Sequence, residues 1–441
     1  MIRRDNRART PVSAFHVYLG LSGAQALFSS MYFVIATVWR VQAAGLDPLQ
    51  LVLVGTVMES SILVFEIPTG VVADVFSRRL SIIVGVALMG VAFLIEALLP
   101  HFLVILAAEA LWGAGYTFTS GATEAWIAGE VGEREAGNTY MRGSQAVTAA
   151  ALVGSPLGAL LAGIHLNLGM LTAGAGTLGL SVALIALMPE TSFRRTPAAE
   201  RTRWQQMGDT LRAGGRLVRL RPALLTILGV GLFLGLYSEG YDRLSDAHFL
   251  QDLQFPPLGN FSYVIWFGIM DVGAMLLSLV ASELVRRRVN LRSHVPVARA
   301  LLGMTALLSL AVIGFGLARS FALAVLAVWL IAVLRRTISP LYYAWIAQHT
   351  DPAVRATVIS MAGQVDAFGQ IAAGPALGAL GTLRGLRVAL VASGALLAPA
   401  VPLLWRATRH TPVYPVAEGE PRSQAAVGEA DAAREAIVEQ P

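Results

Sequence analysis

Ala125-Trp126-Ile127-Ala128 recurs 219 residues later as Ala344-Trp345-Ile346-Ala347. The same offset pairs Ser120 with Ser339, Gln145 with Gln364 and Pro156 with Pro375. A weaker echo at an offset of 209 joins Asp74, Arg78 and Arg79 to Glu283, Arg287 and Arg288. Matches that cluster at one offset across a helix–loop–helix unit mark two halves of related build.

Composition says what those halves are made of. Of 441 residues, 55% are hydrophobic and 14% charged, and the mean hydropathy is +0.63. A soluble domain carries about 25% charge, so this chain lacks the polar surface to cover itself in water. Disordered chains, disulfide scaffolds and soluble nucleic-acid binders are excluded on the same ground, although the net charge is +5. There is no Cys, which removes thiolate chemistry and Cys-ligated metals. There is no Lys either, so every basic residue is Arg and no phosphate-binding Gly-x-x-x-x-Gly-Lys loop exists. The seven His show no metal-ligand spacing. No enzyme, metal or cofactor is expected.

About 20 apolar residues cross the hydrocarbon core. That ruler gives twelve spans, at approximately 14–39, 49–73, 80–99, 102–128, 139–164 and 167–188, then 222–246, 258–284, 295–317, 321–347, 355–381 and 384–406. Six helices and six helices, parallel-related, predict an all-α polytopic membrane protein of two bundles about a pseudo-two-fold axis. The expected organisation is a bundle over 1–189, a linker over 190–221, a bundle over 222–406 and a disordered tail over 407–441. The linker from Arg201 to Leu220 has the spacing of an interfacial amphipathic helix. The first span is too long for a cleavable signal peptide. With the N-terminus inside, one face holds Arg3, Arg4, Arg7, Arg9, Arg78, Arg79, Arg134 and Arg142, eight linker Arg, and Arg286, Arg287, Arg288 and Arg292. The other holds Arg40, Arg243, Arg319, Arg384 and Arg387. The positive-inside rule then puts both termini in the cytoplasm of a cell-membrane protein, the bacterial inner membrane being the expected site.

The turn after the second span reads Gly70-Val71-Val72-Ala73-Asp74-Val75-Phe76-Ser77-Arg78-Arg79-Leu80. It resembles the signature loop of the major facilitator superfamily, with Ser77 where that family has a second Gly. Gly154-Ser155-Pro156-Leu157-Gly158-Ala159 is similar, imperfectly, to the Gly-Pro-x-x-Gly-Gly motif of its drug/proton antiporter (multidrug efflux) branches. The resemblance runs from the first span to the twelfth. It implies alternating access, a cavity lined by helices one, four, seven and ten, and a conformational latch of Gly70, Asp74, Arg78 and Arg79 with Glu130. Asp74 would face the start of the eleventh helix and Arg78 would pair with Glu130 in an outward-open state. The drug antiporters place an Arg four residues before a Gly-x-Gly on the fourth helix. Here Gly113 and Gly115 are present, but that position is Glu109, so coupling through an Arg does not carry over.

Ionisable groups inside a bilayer are functional candidates by default. The deep ones are Glu59, Glu66, Glu109, Asp271, Arg335, Arg336 and Asp366; Glu96, Glu124, Glu239, Asp242 and Glu283 lie nearer the ends, where reaching water is cheap. Three helices carry polar and aromatic stripes: Tyr18, Ser22, Gln25, Ser29 and Tyr32; Glu109, Trp112, Gly113, Tyr116, Ser120 and Thr123; and Arg335, Arg336, Ser339, Tyr342 and Tyr343. The proton-coupling candidates are Glu109, Asp271, Asp366 and Glu59. The substrate candidates are Gln25, Ser29, Tyr32, Trp112, Tyr116, Arg335, Arg336, Ser339 and Tyr342. Arg335 and Arg336 need a carboxylate, with Asp366, Asp271 or Glu109 as partners, and Glu109 is expected to share a hydrated cavity with them. The reading is a monomeric secondary transporter exporting small amphipathic compounds by proton antiport. Its partners are a small-molecule substrate, protons and the lipid bilayer, with no nucleic acid. A proton-coupled importer of a nutrient or metabolite, and a non-transporting scaffold or lipid-handling protein, are the alternatives.

Overall fold

A computed structural model describes residues 13–193, 222–288, 294–350 and 355–409. Within them the chain forms twelve helices: α1 (Ala14–Gln42), α2 (Pro48–Val75), α3 (Arg78–Leu98), α4 (Phe102–Val131), α5 (Glu133–Ile164), α6 (Leu168–Leu187), α7 (Pro222–Asp252), α8 (Ile265–Arg288), α9 (His294–Leu317), α10 (Phe321–His349), α11 (Arg355–Arg384) and α12 (Leu386–Ala407). The expected all-α fold is the one observed. Eleven of the twelve are long and apolar enough to cross a membrane. The exception, α11, is 30 residues long but carries Gln364, Asp366 and Gln370 amid many Gly and Ala. Most of the linker, the N-terminal arginines and the tail lie outside the described residues.

Local chemistry sets the boundaries. Asp47 and Gln50 form a reciprocal capping box at the start of α2, and Pro48 occupies its first position, where a missing N–H costs nothing. Ser77 caps α3 through the Leu80 amide at 2.9 Å. The eighth helix begins at Ile265 rather than 258, because Gly259 takes φ +61° and Leu258 bridges to Phe261 in a tight turn that no helix can include. Conversely α5 starts at Glu133, a polar turn earlier than its apolar stretch. Pro156 and Pro375, paired by the repeat, both sit inside helices, as do the repeat-related and buried Trp126 and Trp345.

Within the first six helices α1 packs on α5, and α3 on α4 and α6; within the last six α7 packs on α11, and α9 on α10 and α12. Gly154 and Gly158 of the fifth-helix motif explain the first contact. A Cβ on them would lie 2.4 Å from the Leu27 carbonyl oxygen and 2.5 Å from that of Met31, so the two backbones touch. The halves meet through α2 against α11 and α5 against α8, with α1 and α2 also reaching α7. We call the side of the α2–α3 turn the near face and that of the α1–α2 turn the far face. Hydrogen bonds joining the halves run from Leu49 N to Thr382 Oγ1 (3.1 Å), from Gln42 to Tyr263 and from Ser155 to Asp271. All lie toward the far face, and the interior opens toward the near face.

Candidate transport cavity

Four adjoining hollows, sharing walls, make one cavity between the halves. The hollow of about 520 Å³ beside α2 and α11 is lined by Glu59, Glu66, Trp112, Tyr116, Ser120 and Asp366. Asp366 and Gln370 continue into a hollow of the second half that includes Tyr237, Asp242, Arg335, Ser339 and Tyr342. Tyr116 and Ser120 continue into one along α1 that includes Tyr18, Gln25, Ser29 and Glu124. Ser29 in turn borders the last, where Asp246 and Asp271 lie opposite Phe33 with Phe249 and Phe267. Trp112 and Tyr116 stack at 5.5 Å and 14°, giving the first half a flat aromatic wall.

Most of the substrate candidates line this cavity: Gln25, Ser29, Trp112, Tyr116, Arg335, Ser339 and Tyr342, together with Glu59, Asp271 and Asp366. Three expected cavity residues do not. Tyr32 is 2% exposed, stacked on Phe93 with centroids 3.8 Å apart, and donates to Glu96 Oε2 at 2.6 Å. Arg336 points away into a separate recess between α8 and α10. Glu109 is buried, so the shared hydrated cavity with the arginines is absent.

Glu109 instead belongs to a cluster the sequence reading missed. Arg40 donates to Glu96 Oε1 at 2.7 Å and Oε2 at 3.1 Å, and to Glu109 Oε1. All three are at most 2% exposed. The sequence alone reads Arg40 as one of the external arginines and Glu96 as lying near a helix end. Side chains lean toward the N-terminal end of their own helix. Arg40 on α1 and Glu96 on α3 therefore lean inward from the far face, while Glu109 on the oppositely directed α4 leans back toward them. Two carboxylates face one guanidinium, and Glu109 Oε2 is buried without a hydrogen-bond partner among the described residues.

The other charges pair as follows. Arg335 is held bidentately by Asp242, and its guanidinium lies 5.6 Å from the Tyr241 ring centroid and 5.9 Å from that of Tyr237. Its partner is thus Asp242, one helix across, and not Asp366, Asp271 or Glu109. Asp366 accepts from Gln370 Nε2 at 2.9 Å, four residues along the same helix. Glu239, 1% exposed rather than interfacial, accepts from Arg243 Nε at 3.2 Å. This pair fills a slot in α2 where Gly55 has no side chain: a Cβ there would lie 1.8 Å from Glu239 Oε1.

At the near face, Arg78 lies 4.0 Å from Asp74 and donates to the Ala125 carbonyl at 2.8 Å. Glu130 is engaged elsewhere, accepting from the Thr191 and Ser192 amides at 2.7 and 2.9 Å. The acid that does meet the signature loop is Glu190, which accepts from Ser77 Oγ at 2.7 Å and the Arg79 amide at 3.0 Å. Arg79 also donates to the Ile185 carbonyl. Gly70 lies in the last two turns of α2 with open space where a Cβ would stand. Among the described residues no group of His, Asp or Glu is placed to hold a metal ion.

A family model described as Major Facilitator Superfamily matches residues 19–363. A curated relative, an uncharacterized MFS-type transporter of Bacillus subtilis called YxaM, is 23% identical over 252 residues, which cover 55% of this chain and 60% of the relative. The chain thus spans about 60% of the length of that relative. Among solved structures, the nucleoside transporter NupG superposes with a TM-score of 0.71 at 11% identity, covering 90% of this chain and all of that one. A bacterial homologue of the human lysosomal transporter Spinster gives 0.69 at 16%, covering 90% and 97%. A peptide transporter, POT, gives 0.70 at 14%, covering 90% and 95%. These likenesses carry the fold alone, and none of them singles out the drug-antiporter branches. With twelve helices in two related sixes, the signature loop in place and the family model matching residues 19–363, this chain belongs to the Major Facilitator Superfamily, as a multi-pass membrane transporter and not an enzyme.

Proposed function

We propose that the chain exports small amphipathic cations across the cell membrane in exchange for protons, as a monomer with both termini cytoplasmic. The observation that carries this reading is the charge of the cavity wall. Glu59, Glu66 and Asp366 line one side, Asp246 and Asp271 another, and Glu124 the near end. Against them stands Arg335, already held by Asp242. Aromatic faces beside carboxylates favour a cation with an apolar body. With the termini inside, the near-face opening makes this the inward-facing state, ready to take solute from the cytoplasm.

The proton is assigned to Glu109. Arg40 can neutralise one of its two carboxylate neighbours, and an unpaired charge buried at 2% exposure is costly. One proton on the free Glu109 oxygen makes the cluster neutral. Asp271, Asp366 and Glu59 face the cavity and are assigned to the solute. Asp74, Arg78, Arg79 and Glu130 serve as the near-face latch, with Glu130 changing partner when that face closes.

The test uses purified protein and two ions of one shape, tetraphenylphosphonium and tetraphenylborate. The cation should bind at least about tenfold more tightly, a difference of about 1.4 kcal/mol. In proteoliposomes Glu109→Gln should lose solute-driven proton flux while cation binding survives. Equal binding of the two ions refutes the substrate class, and unchanged proton flux in Glu109→Gln refutes the proton assignment.

A further inference from the structure

Arg335 and Arg336 are adjacent in sequence and opposite in circumstance. Arg335 is held by a carboxylate and two tyrosine rings. Arg336, midway along the 29 residues of α10, is exposed and makes no hydrogen bond or ion pair with any described residue. A guanidinium stays protonated in any protein setting, and a cation at that depth needs a counter-charge. The acids of the facing helix are engaged elsewhere. Asp271 accepts from Ser155, and Glu283 accepts from Arg286 at 2.8 Å and Arg287 at 2.6 Å.

The surroundings of Arg336 form a recess with a structural cause. Two turns toward the far face, Trp329 packs on Gly273, where a Cβ would lie 2.7 Å from its ring, and donates to the Met270 carbonyl at 2.9 Å. That contact pins α8 to α10. Below it the helices part, leaving about 390 Å³ lined by Ser278, Leu279, Ser282, Arg336, Ser339 and Pro340. Ser278 donates to the Ala274 carbonyl at 2.6 Å. The hydroxyls of Ser282 and Ser339 have no partner among the described residues. A cation and two free O–H donors are complementary to an anionic oxygen group. Exposed Leu276, Leu279 and Val280 continue the wall of α8 with apolar surface.

We propose that Arg336, Ser282 and Ser339 form a binding site for the oxyanion of an amphipathic ligand, a phosphate or carboxylate whose hydrocarbon part lies along the apolar face of α8. Two sources supply that chemistry. A phospholipid headgroup would have to dip below its usual plane in the near leaflet to reach Arg336, and a soluble amphiphile would enter from the cavity, which the recess meets at Ser339. The site adjoins the acid-lined cavity at Ser339, while its cation, Arg336, lies outside that cavity's wall.

The experiment has one arm for each source, both on the full purified chain. Retention of phosphatidylglycerol is measured by mass spectrometry of the detergent-solubilised protein, and octyl phosphate binding by calorimetry with octanol as the uncharged control. Arg336→Gln should weaken at least one arm by about tenfold, as expected for loss of one charge-assisted contact. Arg336→Lys should restore part of it. The Ser282→Ala/Ser339→Ala double variant, which keeps the charge, should weaken the same arm several-fold and decides the matter if Arg336→Gln does not fold. Loss in the lipid arm alone assigns a headgroup; loss with octyl phosphate assigns a site open to soluble oxyanions. Wild-type retention and wild-type octyl phosphate affinity in the folded variants overturn the proposal. Both readouts are anion binding, so failure of cation export leaves this test unaffected.

Discussion

Replacing Gly55 by Ala should force open the far face. The added methyl would stand 1.8 Å from Glu239 Oε1 and 2.1 Å from Arg243 Nε. Ordinary contact begins at 3.4 Å, so the α7 pair must retreat by about 1.6 Å. Both atoms are ends of flexible side chains, so the strain lies less in the contact itself than in lifting a buried ion pair off its seat, Glu239 being 1% exposed. Overpacking of this kind costs about 1–3 kcal/mol, and the cost falls only on the far-closed state, because the pair leaves the slot when the halves part. A bias of about 2 kcal/mol changes the ratio of the two states about thirtyfold. Because the chain has no Cys, Val52→Cys gives a clean reporter, as Val52 is fully buried between the halves beside Gly374 and Gly378. Maleimide labelling of Val52→Cys should accelerate by about tenfold or more in the Gly55→Ala background. An unchanged rate in folded protein would show that the Glu239–Arg243 slot does not hold the far face shut.

Two further outcomes are expected. Glu190→Ala removes both the Ser77 and the Arg79 contacts at the start of α3; it should lower stability by about 1–2 kcal/mol, and an unaltered melting temperature would refute the capping role. Glu200→Cys should stay unlabelled by an impermeant maleimide in intact cells, because the positive-inside count places that segment in the cytoplasm; labelling would reverse the orientation.

The fold was legible because it rests on quantities a sequence carries directly. Spans follow from apolar length, and the duplication from the Ala-Trp-Ile-Ala tetrapeptide. Cavity-facing residues such as Trp112, Tyr116, Ser120 and Ser339 follow from helical periodicity, which reports direction around an axis. The charge partners did not follow, since pairing depends on how neighbouring helices are rotated and at what depth their side chains meet. Arg335 was seen, but Asp242 was discounted as lying near a helix end. Glu96 was discounted likewise and Arg40 was counted among the far-face arginines, although both lean inward along their helix axes. Helix direction is itself in the sequence once the spans are numbered, so that convergence was open to inference. Glu190 was harder: it caps α3 from just beyond α6, a contact over 111 residues with no local signal.

The repeat that relates the halves also shows where they have diverged mechanically. At Ser120-Gly121 the fourth helix is interrupted, Gly121 adopting φ +70°, and a separate ten-residue segment continues to Val131. The matching pair in the second half is Ser339-Pro340, and there α10 runs on unbroken. A glycine in the left-handed region is a joint that can swivel, whereas a proline is a fixed bend whose angle is set by its ring. The lower end of α4, which holds the carbonyl that Arg78 grips, can therefore swing on its own, while α10 must tilt as one rod. Two arms related by the repeat would then contribute unequally to the cycle, one flexing at an elbow and the other rocking from the shoulder.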